Sequence, residues 1–264
     1  MQLLLGFFLA IVIAYAAYRA HSLTKSGALA ATFIGAVIFG LGGWEWALLM
    51  LTFFITSSGL SRAFRKKKET LNEKFDKGSE RDAGQVFGNG GVAALFVGLH
   101  VLLPESSLPW IGFAAALAAV NADTWATELG VLNPRPPRMI TNPFKVVEKG
   151  ASGGISLYGT LAALAGAALI GWLASIFAFQ LEVFFIVTLA GFLGALFDSL
   201  LGATAQAMYY CPTEKKETEK HPLHTCGAPT VHLRGWKWLN NDWVNFACAA
   251  FGAAAGILLY ALST

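Results

Sequence analysis

Eight apolar segments follow one another along this chain, and they set narrow limits on its fold. A helix that crosses a bilayer needs about 17–25 mostly apolar residues. Segments of roughly that length occupy 2–20, 27–43, 45–60, 88–103, 109–129, 155–177, 182–207 and 242–262. Only 13% of the residues are charged and 55% are hydrophobic, which excludes an ordinary soluble domain. The sequence predicts an all-α polytopic membrane protein with about eight transmembrane helices.

The basic residues predict the orientation of these helices. All 19 Lys and Arg residues fall in, or at the edge of, the first, third, fifth and seventh connections between apolar segments. Cytoplasmic connections are enriched in Lys and Arg, so the odd-numbered connections should be cytoplasmic and both termini should lie outside. We expect one integral-membrane domain over residues 1–264, with cytoplasmic loops near 61–87, 130–154 and 208–241. No Lys or Arg precedes the first apolar run, so we expect that run to be a retained helix and not a signal peptide.

Four carboxylates stand at ends of apolar segments that this topology places on the cytoplasmic side. Asp123 and Glu128 close the fifth segment, Asp198 closes the seventh and Asp242 opens the eighth. Charged groups at membrane depth are costly and usually mark a site, and hard oxygen ligands of this kind hold Mg²⁺. Three of them have a simpler alternative: Glu128 could lie at the headgroups, Asp123 could be a structural acceptor, and Asn-Asn-Asp242 is also an ordinary helix cap.

Helices four, six and eight should begin on the same side, where their free N–H groups favour anions. Before the sixth helix, Lys149 precedes a glycine-rich run in which the backbone could approach a phosphate. Close helix packing explains those glycines equally well. The predicted phosphate- and nucleotide-binding residues are Arg81, Gln85, Asn89, Lys149, Gly150, Ser152, Gly153, Gly154, Asn241 and Asn245.

The seventh connection contains cysteine and histidine residues at spacings that do not indicate a zinc site. Paired CxxC or HxxxH motifs are absent, so a structured loop without metal is the simpler expectation. These residues are Cys211, His221, His224, Cys226 and His232.

Five motifs together carry a resemblance to a known family. They are Arg81-Asp-Ala-Gly-Gln-Val, Ala122-Asp-Thr-Trp-Ala-Thr-Glu128, Lys149-Gly-Ala-Ser-Gly-Gly-Ile-Ser156, Phe197-Asp-Ser-Leu-Leu-Gly-Ala-Thr-Ala-Gln206 and Asn240-Asn-Asp-Trp-Val-Asn245. In this order they resemble the integral-membrane family that includes plant phytyl-phosphate kinase and animal transmembrane protein 19, the domain-of-unknown-function 92 family. The resemblance implies a membrane enzyme that passes a phosphoryl group from a nucleoside triphosphate to an isoprenyl monophosphate. No serine- and arginine-rich extension precedes the first helix, so we expect a member that is not imported into plastids.

These observations together predict a Mg²⁺-dependent lipid-phosphate kinase in the cell membrane, with its active site on the cytoplasmic side. The expected metal ligands are Asp123, Glu128, Asp198 and Asp242, and the expected phosphate contacts are Arg81 and Lys149. Its partners would be a nucleoside triphosphate such as CTP, an isoprenyl phosphate and the membrane, with no nucleic acid. A lipid nucleotidyltransferase would use the same residues, and a transporter or flippase of an anionic lipid or metabolite is the alternative from another class.

Overall fold

The computed structural model describes residues 1–68 and 80–263, and its described part confirms the eight predicted helices. Apolar segments of this length form helices because the helix satisfies its own backbone hydrogen bonds within lipid. The helices are α1 (Gln2–Arg19), α2 (Lys25–Val37, continued by a π-helical turn Ile38–Gly42), α3 (Trp44–Lys68), α4 (Ala83–Leu102), α5 (Leu108–Gly130), α6 (Leu157–Ala178), α7 (Leu181–Thr204) and α8 (Asn241–Ser263). The protein is therefore mostly helical and polytopic.

Helix α5 differs from the other helices in where it lies. Within the described residues, seven helices are long and apolar enough to span a membrane, namely every helix except α5. Every residue of α5 from Ile111 to Ala122 is buried, and the helix packs against α3, α4, α6, α7 and α8. Asn121, the polar residue within this stretch, is consequently surrounded by protein and not by lipid, which lowers the cost of burying it.

Small residues let α5 approach its neighbours closely. A β-carbon added to Gly191 or Gly194 of α7 would lie 2.5 Å from the side chain of Ala118 or Ala119 on α5. Gly252 of α8 meets Ala119 in the same way, at 2.6 Å. Close backbone approach of this kind is the usual way in which membrane helices gain van der Waals contact. It makes α5, α7 and α8 a tightly packed group.

The second and third helices form a tight hairpin. The π-helical turn ends at Gly42, and α3 begins at Trp44, so only Gly43 connects them. Gly43 has a φ of +93°, a conformation that L side chains rarely adopt. On the same side of the molecule the Trp46 ring packs against His100, Trp110 and Phe113, with centroids 4.7–5.1 Å apart. An aromatic cluster therefore closes this end of the helices.

Two three-stranded sheets, which the sequence did not predict, accompany the predicted helices. The connection after α5 forms β1 (Arg138–Met139), β2 (Asn142–Val146) and β3 (Gly154–Ile155) in the order β2-β1-β3. The connection after α7 forms β4 (Met208–Cys211), β5 (Lys216–Thr218) and β6 (Val231–Arg234) in the order β5-β4-β6. Strands of two to five residues are too short for an alternating pattern to reveal them in a sequence.

The third connection is shorter than predicted, because α3 extends beyond residue 60 to Lys68 and α4 begins five residues early, at Ala83. Several of the basic residues that predict its cytoplasmic location lie outside the described side chains. They are Arg65, Lys66, Lys67, Lys68, Lys74 and Lys77. The cytoplasmic orientation of the odd connections, and the single domain over 1–264, stay predictions.

Candidate functional site

A cavity of about 450 Å³ lies where the ends of α4, α5, α6, α7 and α8 converge, and we call it the polar cavity. Its wall includes every residue that the sequence nominated for the site except Asp242. Those residues are Arg81, Gln85, Asn89, Asp123, Glu128, Lys149, Gly150, Ser152, Gly153, Gly154, Asp198, Asn241 and Asn245. The structure thus brings five separate sequence motifs to one end of the helix bundle.

The polar cavity contains more carboxylates than cations. Asp123, Glu128, Asp198 and Glu219 line it together with two cations, Arg81 and Lys149. The Asp198 Oδ2 atom is buried and has no hydrogen-bond partner among the described residues. A buried carboxylate oxygen without a donor is unfavourable unless a cation or ligand completes its contacts. The wall therefore has the character of a site that receives a cation.

The carboxylates fit a magnesium ion that is bound mainly through water and substrate. Among the described residues, no three carboxylate groups bring their oxygens within 4.8 Å of one another. Mg²⁺ usually keeps several waters and takes one or two carboxylates together with substrate phosphates, so Asp123 and Asp198 suit it. Glu128 is engaged elsewhere, because its Oε1 accepts a 2.7 Å hydrogen bond from Ser61 Oγ and its charge acts on Arg81.

Arg81 lies just before α4 and is held by its backbone and by two aromatic rings. Its N–H donates to the Ser22 carbonyl, and its own carbonyl accepts from Thr24 N, both at 3.0 Å. Its guanidinium lies 5.4 and 5.8 Å from the ring centroids of Phe53 and Phe54, within cation–π range. Burial lowers the pKa of Arg81 to about 10, and Glu128 partly opposes this shift. Arg81 is therefore still a cation at neutral pH.

The start of α4 explains the positions of Gln85 and Asn89. Asp82 accepts a hydrogen bond from Gln85 N at 3.0 Å, while Gln85 Oε1 accepts one from Asp82 N at 3.2 Å. This reciprocal capping box fixes the first turn of the helix. Asn89, one turn later, donates through Nδ2 to the Gln85 carbonyl at 2.8 Å. The Asn89 side chain is thereby oriented along the cavity wall.

The glycine-rich run before α6 packs against α7 and also lines the polar cavity. Gly150 and Gly153 have positive φ angles of 77° and 81°. A β-carbon on Gly153 would meet the backbone of Ala203 on α7 at 2.6 Å, so this glycine is required for close packing. Two amides of the run, those of Ala151 and Gly154, donate to carbonyls within the turn at 3.0–3.1 Å. The packing alternative considered from the sequence therefore holds for Gly153.

Lys149 contacts the carbonyl oxygens that follow the C-terminal end of α5. Its Nζ donates to the carbonyls of Val131 at 3.1 Å and Asn133 at 2.6 Å. Arg234 does the same at the end of α7, where Nη1 contacts the carbonyls of Gly202 and Ala203 at 3.0 and 3.1 Å. Cations are stabilising at helix C-termini, where carbonyls lack partners. Only Lys149 of this pair also lines the polar cavity.

Two cavity residues, Gln206 and Glu219, were not predicted from the sequence. Gln206 is buried; its Oε1 accepts from Ser152 Oγ at 2.5 Å, and its Nε2 donates to Glu219 Oε1 at 2.9 Å. This chain of hydrogen bonds joins the connection after α7 to the glycine-rich run. The only sequence signal for Gln206 is that it is the last residue of one of the five motifs. Nothing in the sequence indicates that Glu219 contacts Gln206.

Asp242 is the one nominated residue that the structure does not place in the cavity wall. Asn240 caps α8, because its Oδ1 accepts from Trp243 N at 3.2 Å. Asp242 is in the first turn of α8, and its carbonyl faces Gly88 of α4, where an added β-carbon would be 2.7 Å away. Its neighbours Asn241 and Asn245 do line the cavity. The Asn-Asn-Asp242 sequence therefore caps α8, as the simpler alternative predicted. The start of α8 still contributes the amides of Asn241 and Asn245 to the cavity wall.

An apolar groove adjoins the polar cavity and shares three residues with it. This groove, about 260 Å³ in volume, lies between α1, α2, α3 and α4. Its apolar wall includes Ala10, Ala14, Ala31, Ile34, Ile38, Phe53 and Phe54. Arg81, Gln85 and Asn89 line both spaces. Ile13 and Trp44, also in the groove wall, are exposed, so the groove is open at the surface of the molecule.

Comparison with known proteins now identifies the family. The model of the family described as integral membrane protein DUF92 matches residues 8–253. This chain belongs to the DUF92 family. The resemblance stated from the five motifs is thereby confirmed, and the match extends over nearly all the helices. The protein is an integral membrane protein.

Individual relatives match over most of the chain. Protein PGR of Arabidopsis thaliana is 34% identical, over 93% of this chain and 91% of its own length. An uncharacterized membrane protein of Methanocaldococcus jannaschii is 30% identical, over 94% and 90%. Protein VTE6, chloroplastic, of Arabidopsis thaliana is 26% identical, over 90% and 65%. No solved structure matches the chain.

Proposed function

We propose that this protein is a membrane-embedded isoprenyl-phosphate kinase that transfers a phosphoryl group from a nucleoside triphosphate to an isoprenyl monophosphate. The observation that carries the proposal is the meeting of the polar cavity and the apolar groove at Arg81, Gln85 and Asn89. A lipid phosphate has a charged head and an apolar chain, and these two adjoining spaces suit its two parts. Membership of a family that is taken to include phytyl-phosphate kinase supports the same reaction.

The acceptor phosphate would bind at the junction of the two spaces. Arg81 supplies a cation there, and Gln85 and Asn89 supply amides. The chain would lie along the apolar groove, whose opening between α1 and α3 would lead to lipid. Arginine suits phosphate because its planar guanidinium can donate two parallel hydrogen bonds.

The nucleotide would occupy the polar cavity, with its phosphates near the ends of α5, α6 and α7. Asp123 and Asp198 would hold Mg²⁺, which supplies charge neutralisation for the transferring phosphoryl group. Lys149, Gly150, Ser152, Gly153 and Gly154 form the wall on the α6 side. Asn241 and Asn245 face the cavity from α8.

In the proposed reaction an oxygen of the lipid monophosphate attacks the γ-phosphorus of the nucleotide. A new P–O bond forms to the acceptor, the bond between the γ-phosphorus and the bridging oxygen breaks, and the nucleoside diphosphate leaves with that oxygen. The acceptor oxygen is already anionic at neutral pH, so no side chain has to remove a proton. Positioning and charge neutralisation are the main contributions in phosphoryl transfer, and the cavity offers groups for both.

The test is a product analysis with the purified full-length protein in detergent and Mg²⁺. CTP, GTP and ATP are each combined with phytyl, geranylgeranyl and farnesyl monophosphates, and products are identified by mass. A lipid diphosphate with nucleoside diphosphate is expected. A nucleotidyl lipid with pyrophosphate would instead indicate a nucleotidyltransferase. Absence of both products with all nine pairs would contradict the proposal, and a lipid phosphate that crosses proteoliposome membranes under those conditions would favour a transporter.

The proposal also places the site on the cytoplasmic side of the cell membrane. In a Cys226→Ser background, an impermeant thiol reagent added outside intact cells should label Ser106→Cys, in the connection between α4 and α5. It should not label Phe144→Cys, an exposed residue of β2. Membrane permeabilisation, which should allow Phe144→Cys to react, is the control. The reverse pattern would place the polar cavity outside the cell.

A further inference from the structure

Three side chains in the connection between α7 and α8 come together although their spacing in the sequence gave no sign of it. The ligand atoms of Cys211, His224 and Cys226 all lie within 4.8 Å of one another. Among the described residues this is the only group of three or more Cys, His, Asp or Glu residues that meets this distance. Cys211 ends β4, and the other two residues stand before β6. Two thiols and an imidazole form a ligand set that suits zinc.

The distances within the group agree with one tetrahedral ion. Zinc binds sulfur at about 2.3 Å and histidine nitrogen at about 2.0–2.1 Å, so tetrahedral angles place two sulfurs about 3.7–3.8 Å apart and sulfur and nitrogen about 3.5 Å apart. The Cys211 and Cys226 sulfurs are 3.7 Å apart, and Cys226 Sγ is 3.3 Å from His224 Nδ1. A disulfide would need a sulfur–sulfur distance of about 2.05 Å.

The backbone around these residues holds them in place. The Glu214 N–H points to Cys211 Sγ at 3.5 Å, a contact that a thiolate accepts readily. The turn that carries the other two ligands is closed by hydrogen bonds of 2.9 Å from His224 N to the Ala228 carbonyl and from Gly227 N to the His224 carbonyl. Gly227 has a φ of +82°, which allows the chain to reverse there. Two ligands are therefore presented by one tight turn and the third by a strand end.

We infer that Cys211, His224 and Cys226 bind a zinc ion, separately from the proposed magnesium site. Cys211 and His224 are buried and Cys226 is exposed, so the fourth position opens toward solvent and takes a water molecule. The zinc ion would join the end of β4 to the turn before β6. Glu219 lies within the segment closed in this way and lines the polar cavity, where it accepts the hydrogen bond from Gln206. The zinc ion would thus hold one wall of that cavity in position.

The first measurement uses the wild-type protein, so it does not depend on the folding of a variant. Full-length protein purified in detergent without chelators should contain one zinc per chain by elemental mass spectrometry. Replacing zinc by Co²⁺ should produce the charge-transfer absorption of cobalt–thiolate bonds. Substoichiometric metal together with the absence of that absorption would overturn the inference. So would a Cys211–Cys226 disulfide found by mass spectrometry of protein purified under reducing conditions.

Variants then assign the ligands. Cys226→Ser, at an exposed position, should lose the zinc and the cobalt absorption while the protein still purifies. Cys248→Ala removes a buried thiol in α8, outside this group, and should keep both. Full zinc occupancy in Cys226→Ser would overturn the inference, as would equal loss from Cys248→Ala. None of these readouts depends on kinase activity, so the zinc site and the proposed function can fail independently.

Discussion

The polar cavity and the apolar groove are neighbours that share Arg81, Gln85 and Asn89, yet they are built in different ways. The cavity is formed by helix ends, where unpaired backbone groups, caps and loops bring polar side chains together. The groove lies between α1, α2, α3 and α4 and is lined mainly by small, aliphatic and aromatic side chains. The difference suggests that changes in the cavity should affect chemistry, while changes in the groove should affect only the binding of the lipid chain.

The largest effect is expected for Asp198→Asn, which keeps the shape of the side chain and removes its charge. Loss of this proposed Mg²⁺ ligand should reduce kcat on the order of a hundredfold or more. Lipid affinity should change little, because Asp198 does not line the groove. The matched control is Glu182→Gln at the exposed opposite end of α7, which should be neutral. Turnover near the wild-type value in Asp198→Asn would make this carboxylate structural.

Arg81→Met tests the junction of the two spaces. A charge-assisted contact to phosphate is worth about 1.5–3 kcal/mol, so kcat/KM for the lipid phosphate should fall roughly ten- to hundredfold. The matched control is Arg135→Met, which removes an exposed arginine outside both cavity walls. If only the KM for the nucleotide rises in Arg81→Met, Arg81 contacts the nucleotide and not the lipid phosphate.

Ala31→Phe tests the groove by filling part of it. KM for the long-chain substrate should rise about tenfold, since roughly 1.4 kcal/mol is lost when a few methylene groups of the chain cannot be buried. The KM for the nucleotide should not change. Leu29→Phe on the same helix enlarges an exposed side chain that does not line the groove, and it should have no effect on either constant. Equal responses of the two substrates to Ala31→Phe would argue against separate binding spaces.

The smallest effect on catalysis is expected for Lys149→Met. Its ammonium already contacts two carbonyls beyond α5, so loss of a shared phosphate contact should weaken nucleotide affinity only a few-fold. The lost carbonyl contacts should lower the free energy of unfolding by about 1–3 kcal/mol. Arg234→Met, which removes the equivalent contacts at the end of α7, should cost similar stability without changing nucleotide affinity. Unchanged affinity in Lys149→Met would remove this residue from the site.

Membership in a membrane fold, the number of helices and the residues that converge at one end were all predictable from the sequence. The length and apolar composition of each segment are local properties of the sequence, so they predict where each helix begins and ends. Residues at those positions then lie at the ends of the helix bundle. Because successive helices run in opposite directions, Asp123, Asp198 and Gln85 were expected at the same end of the bundle. The same reasoning overestimated Asp242, which lies at the correct helix end but not in the cavity wall.

Tertiary structure alone decided which groups touch. The contact of Gly153 with Ala203, the Ser152–Gln206–Glu219 hydrogen bonds and the Lys149 contacts with carbonyls each join residues from different connections. The two sheets and the Cys211–His224–Cys226 group depend on how irregular loops fold back on themselves. No periodicity marks such contacts, because they are specified by packing between distant parts of the chain and not by the repeat of a helix or strand.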